Sequence, residues 1–128
     1  MSSYLEEDRE AEAAIAELGL LYLADVPQLL QDLKRDFQQA LQSAEAQLLL
    51  SAASRAHQIR GTAGSLGFQN LSGLAGELEE RLSRLVLPVV DRAALDQIQD
   101  LMLRAEAAVG LELEVVRART GAPAEPTG

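Results

Sequence analysis

Residues 56–79 read AHQIRGTAGSLGFQNLSGLAGELE. This stretch decides the fold because it predicts two amphipathic helices with a turn between them. At about 100° per residue, the apolar residues of its first half fall on one side of a helix placed at about 46–67. That apolar side consists of Leu48, Ala52, Ala56, Ile59, Ala63 and Leu66. Gly67 is the expected stop of this helix and Asn70 the expected cap of the next.

Helical periodicity also extends to both sides of this stretch. A first helix is expected over about 5–24, with Ile15, Leu18, Leu21 and Tyr22 as its apolar residues. Asp25 then caps a second helix with Pro27 in its first turn. Its apolar stripe is Leu29, Leu30, Leu33, Phe37, Ala40 and Leu41, and a tight connection follows at 43–45.

Two further signals lie near the end of the chain. Pro88 ends the helix that follows Asn70, and Asp91 caps a fifth helix. Short links between long amphipathic helices favour antiparallel neighbours. The predicted fold is therefore all-α: an antiparallel up-down four-helix bundle over residues 1–118, with an additional N-terminal helix packed on one end. Residues 119–128 are small, polar and punctuated by proline, so a disordered tail is expected there.

Composition excludes several classes of protein. The chain has 128 residues, which suits one domain, and only 3% of them are aromatic. A net charge of −9 argues against nucleic acid as the main partner. The absence of cysteine excludes disulfides and zinc-thiolate sites. No apolar stretch is expected to span a membrane, and residues 1–8 lack the pattern of a secretory signal, so a cytoplasmic location is expected.

The only histidine, His57, falls on the side of its helix opposite the apolar stripe. Gly61 and Gly64 lie on the same side, with Arg60 on its flank. Each interior glycine costs a helix up to about 1 kcal/mol relative to alanine. A helix that keeps both beside an exposed imidazole is expected to use the space for a large partner.

An exposed imidazole can act as a base, a metal ligand or a nucleophile. Metal binding is poorly supported because no second histidine or cysteine is present, and carboxylates such as Glu79 alone would form a weak site. Ser65 is a poor nucleophile for a hydrolytic triad, since it lies two turns away. Attack by His57 on an activated phosphoryl group fits better, with Arg60 contacting phosphate oxygens. Our hypothesis for Glu79 is that it accepts a hydrogen bond from the other ring nitrogen.

These residues resemble the histidine phosphotransfer domain of bacterial multistep phosphorelays. The match covers residues 56–79: Ala-His, an apolar residue, a basic residue, Gly, then Ala-Gly and Gly, followed by leucines and a glutamate. The resemblance implies that His57 is the phosphoacceptor, Arg60 its basic companion, Gly61 the small residue that admits the partner, and Glu79 the acceptor for the ring. Arg60 stands where many members have lysine.

The resemblance also implies the partners. The expected function is a phosphorelay intermediate that takes phosphate from a receiver-domain aspartate, or from a kinase, and passes it to a response-regulator receiver. The chain is expected to act as a monomeric phosphocarrier without kinase activity or cofactor, and Mg²⁺ is expected on the receiver. A hybrid sensor kinase is a further expected partner. The expected receiver-binding residues are Ala53, Gln58, Gly61, Gly64, Ser65 and Phe68. Phe68 either belongs to this surface or covers the core at the helix end.

Two other functions remain open on the sequence. The bundle is alternatively a non-catalytic module that binds a signalling partner through the same surface. It is otherwise the phosphoacceptor module of a larger chemotaxis-type kinase. Independently of these functions, Arg55 and Arg60 have an ordinary reading as solvated surface charges, and Glu79 as a surface charge paired with nearby arginines.

Overall fold

The computed structural model describes the backbone of residues 2–120 and the side chains of residues 5–119. It contains four helices and, within these residues, no strand. They are α1 (Ser2–Ser43), α2 (Ala46–Ser65), α3 (Gln69–Arg84) and α4 (Arg92–Thr120). The all-α prediction is confirmed. Residues 121–128 of the predicted tail lie outside the described residues, while residues 119 and 120 belong to α4 and not to the tail.

The four helices form a closed ring in which each packs on two neighbours. Contacts join α1 to α2, α2 to α3, α3 to α4 and α4 back to α1. Only residues 44–45 separate α1 from α2, and only residues 66–68 separate α2 from α3. Connections this short cannot return the chain to the start of the preceding helix, so consecutive helices run antiparallel.

The helix α1 is continuous, which corrects the prediction of a separate N-terminal helix. Pro27 lies inside α1 and is exposed. A proline in a helix interior removes one backbone hydrogen bond, a change that costs about 3 kcal/mol. The buried stripe nevertheless keeps its spacing of three and four residues through this point. Its members are Leu23, Val26, Leu30, Leu33, Phe37 and Ala40. Packing along this unbroken stripe offsets the lost hydrogen bond and holds α1 together.

The N-terminal half of α1 differs most from its prediction. Ile15, Leu18 and Leu21 are 53%, 57% and 62% exposed, so these residues do not form the expected buried stripe. By length and composition alone, one stretch within residues 5–43 is long and apolar enough to cross a membrane, contrary to the expectation above. One such helix is weak evidence, because the core helix of a soluble protein meets the same criteria.

The helix ends follow local signals in most places. Ala44 adopts a positive φ of 57° between α1 and α2, inside the predicted connection. Asp91 caps α4, since its carboxylate Oδ1 accepts a bond from the Ala93 amide at 3.3 Å. Asn70 is not a cap: α3 starts at Gln69, and Phe68 occupies the N-cap position without a side-chain bond.

The turn between α2 and α3 is a Schellman motif. The Phe68 amide donates to the Ala63 carbonyl at 2.8 Å, and the Gly67 amide donates to the Gly64 carbonyl at 3.1 Å. Gly67 has a φ of +88°, which a side chain would strain, so the predicted stop at this residue is confirmed. The motif directs the Phe68 ring into the core, where the residue is only 4% exposed.

Candidate functional site

The helix α2 presents His57 because its other face is fully used by the core. Its buried residues are Leu49, Ala52, Ala53, Ala56, Ile59 and Ala63. His57 lies between Ala56 and the next buried position, and its side chain is 59% exposed. The small alanines of α2 allow neighbouring helices to approach closely, which brings α3 side chains within reach of the imidazole.

Glu79 on α3 binds the imidazole directly. Its Oε2 lies 2.8 Å from His57 Nδ1, and the carboxylate is only 24% exposed. An ionised carboxylate can only accept, so Nδ1 carries the proton and donates it to this bond. In the neutral ring, the lone pair then resides on Nε2. Within the part of the chain that the structure describes, Nε2 has no partner. The hypothesis that Glu79 orients the ring agrees with this geometry.

Arg60 completes a three-residue cluster with His57 and Glu79. Its Nη1 lies 3.0 Å from Glu79 Oε1, and its Nη2 lies 3.3 Å from His57 Nδ1. Because Nδ1 is protonated and donates to the closer Glu79 carboxylate, it cannot also accept a hydrogen bond from Arg60 Nη2. Arg60 therefore contacts the ring by charge and packing only. Glu79 Oε1 has no aligned hydrogen bond, which makes its contact with Arg60 an ion pair. The guanidinium is 48% exposed beside the imidazole and available to an incoming anion.

The surface around the imidazole is open where the glycines lie. A Cβ at Gly61 would meet nothing within 4 Å, so this position offers free space beside His57. Gln58 and Ser65 are exposed on the same helix, and Gly64 is half-buried. Leu50, two turns before His57, is 65% exposed and adds an apolar contact to this side of α2.

Two residues expected at this surface belong to the core. Ala53 is 9% exposed and Phe68 is 4% exposed. Phe68 packs toward α1, where a Cβ at Gly19 would lie 2.9 Å from its Cζ atom. We therefore leave Ala53 and Phe68 out of the exposed surface around His57, which consists of Leu50, Gln58, Arg60, Gly61, Gly64 and Ser65.

Sequence reasoning missed two residues of α3 that support the site. Ser72 Oγ donates a hydrogen bond to the Arg60 carbonyl at 2.8 Å. A Cβ at Gly76 would lie 3.1 Å from Arg60 Cδ, so the arginine side chain crosses α3 at this glycine. Ser72, Gly76 and Glu79 are spaced by four and three residues, which places them on one face of a helix. That spacing was a signal available in the sequence.

A second ionic cluster joins α1 to α2 on another side of the bundle. Asp36 is buried, and its Oδ2 accepts bonds from Arg55 Nε at 2.7 Å and from Ser51 Oγ at 2.8 Å. Burial raises the pKa of Asp36, but these hydrogen bonds and the nearby arginine charges outweigh burial and lower it overall. The hydrogen bond to Asp36 raises the pKa of Arg55. Arg55 is therefore a structural residue on the same helix as His57.

Metal ligands do not gather in the described part of the chain. No three histidine, cysteine, aspartate or glutamate side chains come close enough together to hold an ion there. The arrangement that does exist is an oriented imidazole with a free nitrogen, a neighbouring guanidinium and open space in front of both. Chemically, it can attack an electrophile delivered by a partner and contact the negative charge of that electrophile.

The fold and the site together define a class: a helical bundle that presents an exposed imidazole held by a carboxylate. A family model described as Hpt domain matches residues 17–108, which is more than half of the chain. The chain therefore belongs to the Hpt, or histidine phosphotransfer, domain family, as the resemblance predicted. This family functions in histidine phosphotransfer in phosphorelay signalling, and its members generally interact with receiver domains of response regulators. No curated protein and no solved structure matches the chain.

Proposed function

We propose that His57 accepts a phosphoryl group on Nε2 from the aspartate of a receiver domain, or from a kinase, and passes it to the receiver domain of a response regulator. The observation that carries this proposal is the 2.8 Å contact between Nδ1 and Glu79. It supports a ring proton on Nδ1 and a lone pair on Nε2 that a partner could reach. The family membership supports the same chemistry.

The transfer step needs no proton movement in this chain. The Nε2 lone pair forms a bond to phosphorus, the bond between phosphorus and the aspartyl oxygen breaks, and the aspartate leaves as a carboxylate. Nδ1 keeps its proton throughout, so the phosphorylated ring is cationic. The negative charge of Glu79 lies beside that cation and stabilises it. Return of the phosphoryl group to another aspartate reverses the same bonds.

Arg60 is proposed to contact the phosphoryl oxygens during transfer. Its guanidinium lies within 3.3 Å of the imidazole and is half exposed, so an anion on Nε2 would come close to it. Mg²⁺ held by the receiver is expected to neutralise the remaining phosphate charge. The Hpt chain itself is proposed to act as a phosphocarrier without kinase activity.

The receiver is proposed to dock on the surface around His57. The free space at Gly61 lets the receiver approach the imidazole, and exposed Leu50 offers an apolar contact two turns away. The chain is proposed to dock as a monomer in the cytoplasm, in line with a sequence that contains no cysteine for disulfides. Analytical ultracentrifugation of the chain alone, and of the chain mixed with a receiver domain, tests the proposed monomeric state.

Incubation with a phosphorylated receiver domain tests the chemistry. Phosphate that is labile to acid is expected to appear on the wild-type chain and to be absent from His57→Gln. His57 is exposed, so this variant is expected to keep the wild-type unfolding curve. Undiminished transfer to His57→Gln would contradict the proposal. Binding of a receiver without any transfer, across the receivers of the source organism, would favour a non-catalytic binding module instead.

A second variant tests the docking surface. Gly61→Gln meets no atom of this chain at its Cβ, so it is expected to fold while its side chain blocks the receiver. Gly110→Gln is the matched control, because Gly110 also has open space but lies on α4. We expect transfer to fall by roughly tenfold or more in Gly61→Gln only. Equal rates for the two variants would exclude an approach over Gly61.

A further inference from the structure

We propose that Gly76 is a positioning residue for phosphotransfer, because its missing side chain provides the space through which Arg60 reaches Glu79 and His57. The proposal rests on the function proposed above. Gly76 lies on α3 and touches neither the imidazole nor the incoming phosphate. It acts through the path that it leaves for the Arg60 side chain.

The contact at Gly76 is close enough to control that path. A Cβ built at Gly76 would lie 3.1 Å from Arg60 Cδ and 3.8 Å from Arg60 Cγ. A carbon at 3.1 Å is closer than about nine in ten real Cβ contacts, so one of the two groups would have to move by a few tenths of an ångström. The Arg60 side chain is the group that can move, since Gly76 belongs to the backbone of a packed helix.

The backbone of Arg60 is fixed independently of its side chain. Ser72, one turn before Gly76, donates from its Oγ to the Arg60 carbonyl at 2.8 Å. The same Ser72 Oγ would lie 3.1 Å from a Cβ at Gly64, so α2 and α3 are already in close contact here. A methyl group at position 76 would therefore redirect the arginine methylenes and would not separate the two helices.

Redirecting those methylenes would change the reacting cluster. Beyond Gly76, the guanidinium places Nη1 3.0 Å from Glu79 Oε1 and Nη2 3.3 Å from His57 Nδ1. A shift of a few tenths of an ångström at Cδ is carried to both nitrogens. The glycine thus determines where the positive charge lies relative to the phosphoryl group on Nε2.

The chain offers a matched pair of variants on one helix. Gly76→Ala introduces the clash, whereas a Cβ at Gly73 would meet nothing within 4 Å. Both substitutions increase helix propensity in α3, so stability alone does not separate them. We expect Gly73→Ala to accept phosphate from a phosphorylated receiver at the wild-type rate and Gly76→Ala to do so roughly three- to tenfold more slowly.

A double-mutant cycle with Arg60→Ala separates positioning from a general structural effect. Without the Arg60 side chain there is nothing for the methyl group to displace, so adding Gly76→Ala to Arg60→Ala is expected to change the rate no further. Equal rates for Gly76→Ala and Gly73→Ala would overturn the proposal. The proposal would also be overturned if Gly76→Ala slowed transfer as much in the Arg60→Ala background as it does in the wild type.

A spectroscopic readout distinguishes this proposal from the proposed function. The ¹⁵N resonances of the His57 ring and of Arg60 Nε are expected to shift in Gly76→Ala and to stay in place in Gly73→Ala. If the wild-type chain accepts phosphate from no receiver, the proposed function fails while these resonances still test the positioning. Unshifted resonances in both variants would overturn the role of Gly76, whatever the transfer result.

Discussion

At the scale of single residues, the two nitrogens of His57 have different environments. Nδ1 donates to Glu79 Oε2 at 2.8 Å, while Nε2 has no partner among the described residues and the side chain is 59% exposed. In the proposed transfer, one carboxylate therefore sets both the tautomer and the direction of attack. It would also balance the positive charge of a phosphorylated ring, so orientation and charge stabilisation would come from the same group.

Substitutions of Glu79 separate these two contributions. Glu79→Gln keeps an oxygen that accepts a hydrogen bond from Nδ1 but removes the negative charge, so we expect transfer to slow by up to about tenfold. Glu79→Leu removes both, and a lost hydrogen bond to a charged group is worth about 1.5–3 kcal/mol, or roughly ten- to hundredfold in rate. Initial rates of phosphate transfer from one phosphorylated receiver measure both effects.

Glu80→Gln is the control for this series. Glu80 is the next residue of α3, is 59% exposed and pairs with Arg84 one turn away. It loses the same charge without facing the imidazole, so its transfer rate is expected to match the wild type. Equal slowing by Glu80→Gln and Glu79→Gln would mean that net charge, and not the contact with His57, controls the rate.

At the scale of helices, the turn between α2 and α3 fixes the distance between His57 and Glu79. The Schellman bonds at Gly67 and Phe68 end α2 and start α3 within three residues. The Phe68 ring then anchors this turn to α1 at Gly19, where a Cβ would lie 2.9 Å from Cζ. The site on α2 and α3 is therefore held by a contact on a third helix.

Filling the space at Gly19 tests this anchor. We expect Gly19→Ala to lower the free energy of unfolding by about 1–2 kcal/mol, because overpacking exceeds the gain in helix propensity. Gly110→Ala, in open space on α4, is expected to raise it by up to about 1 kcal/mol. Urea unfolding measures both.

A shorter side chain at position 68 supplies the converse test. Phe68→Leu removes core packing and is expected to lower the stability of the wild type, but to lower it less in a Gly19→Ala background, because the shorter side chain relieves the contact with the new methyl group. If Gly19→Ala is as stable as Gly110→Ala, the contact with Phe68 is not tight. If Phe68→Leu costs the same in both backgrounds, the two residues are not coupled.

At the scale of the whole molecule, a buried carboxylate lies between two helices of a chain whose net charge is strongly negative. The net charge is −9, yet Asp36 is buried between α1 and α2 with bonds from Arg55 and Ser51. Its pKa is lower in the folded protein than the ordinary value of 3.8. The folded state therefore binds this proton less readily than the unfolded state.

This difference predicts the acid sensitivity of the fold. Ionised Asp36 contributes fully to the free energy of unfolding above about pH 3.8, the pKa of the unfolded state. This contribution is lost as the pH falls from there through the lower pKa of Asp36 in the folded protein. At pH 7, Asp36→Asn is expected to lower the free energy of unfolding by about 1.5–3 kcal/mol. The difference in the free energy of unfolding between the variant and the wild type is expected to become smaller in acid. Unfolding curves at several pH values measure this difference.

Asp100→Asn is the control for acid sensitivity. Asp100 is 66% exposed and lies 3.8 Å from Arg104 on the same helix. Exposed pairs of this kind contribute about 0–1 kcal/mol, so little change is expected at any pH. If the difference in the free energy of unfolding between Asp36→Asn and the wild type stayed constant down to acid pH, the predicted role of Asp36 ionisation would be contradicted.

The contact of His57 with Glu79 joins two helices, and from the sequence it was a hypothesis that the family resemblance also implied. The sequence by itself determined the helical class and the exposed position of His57. These follow from periodicities of three to four residues and from local signals such as Gly67 and Asp91, which act within a turn or two of the chain. Only the tertiary structure decided that α1 runs through Pro27, that Phe68 belongs to the core and that Gly76 lies under Arg60. Each of these depends on packing between segments distant in sequence, where the contact energy outweighs the local preference.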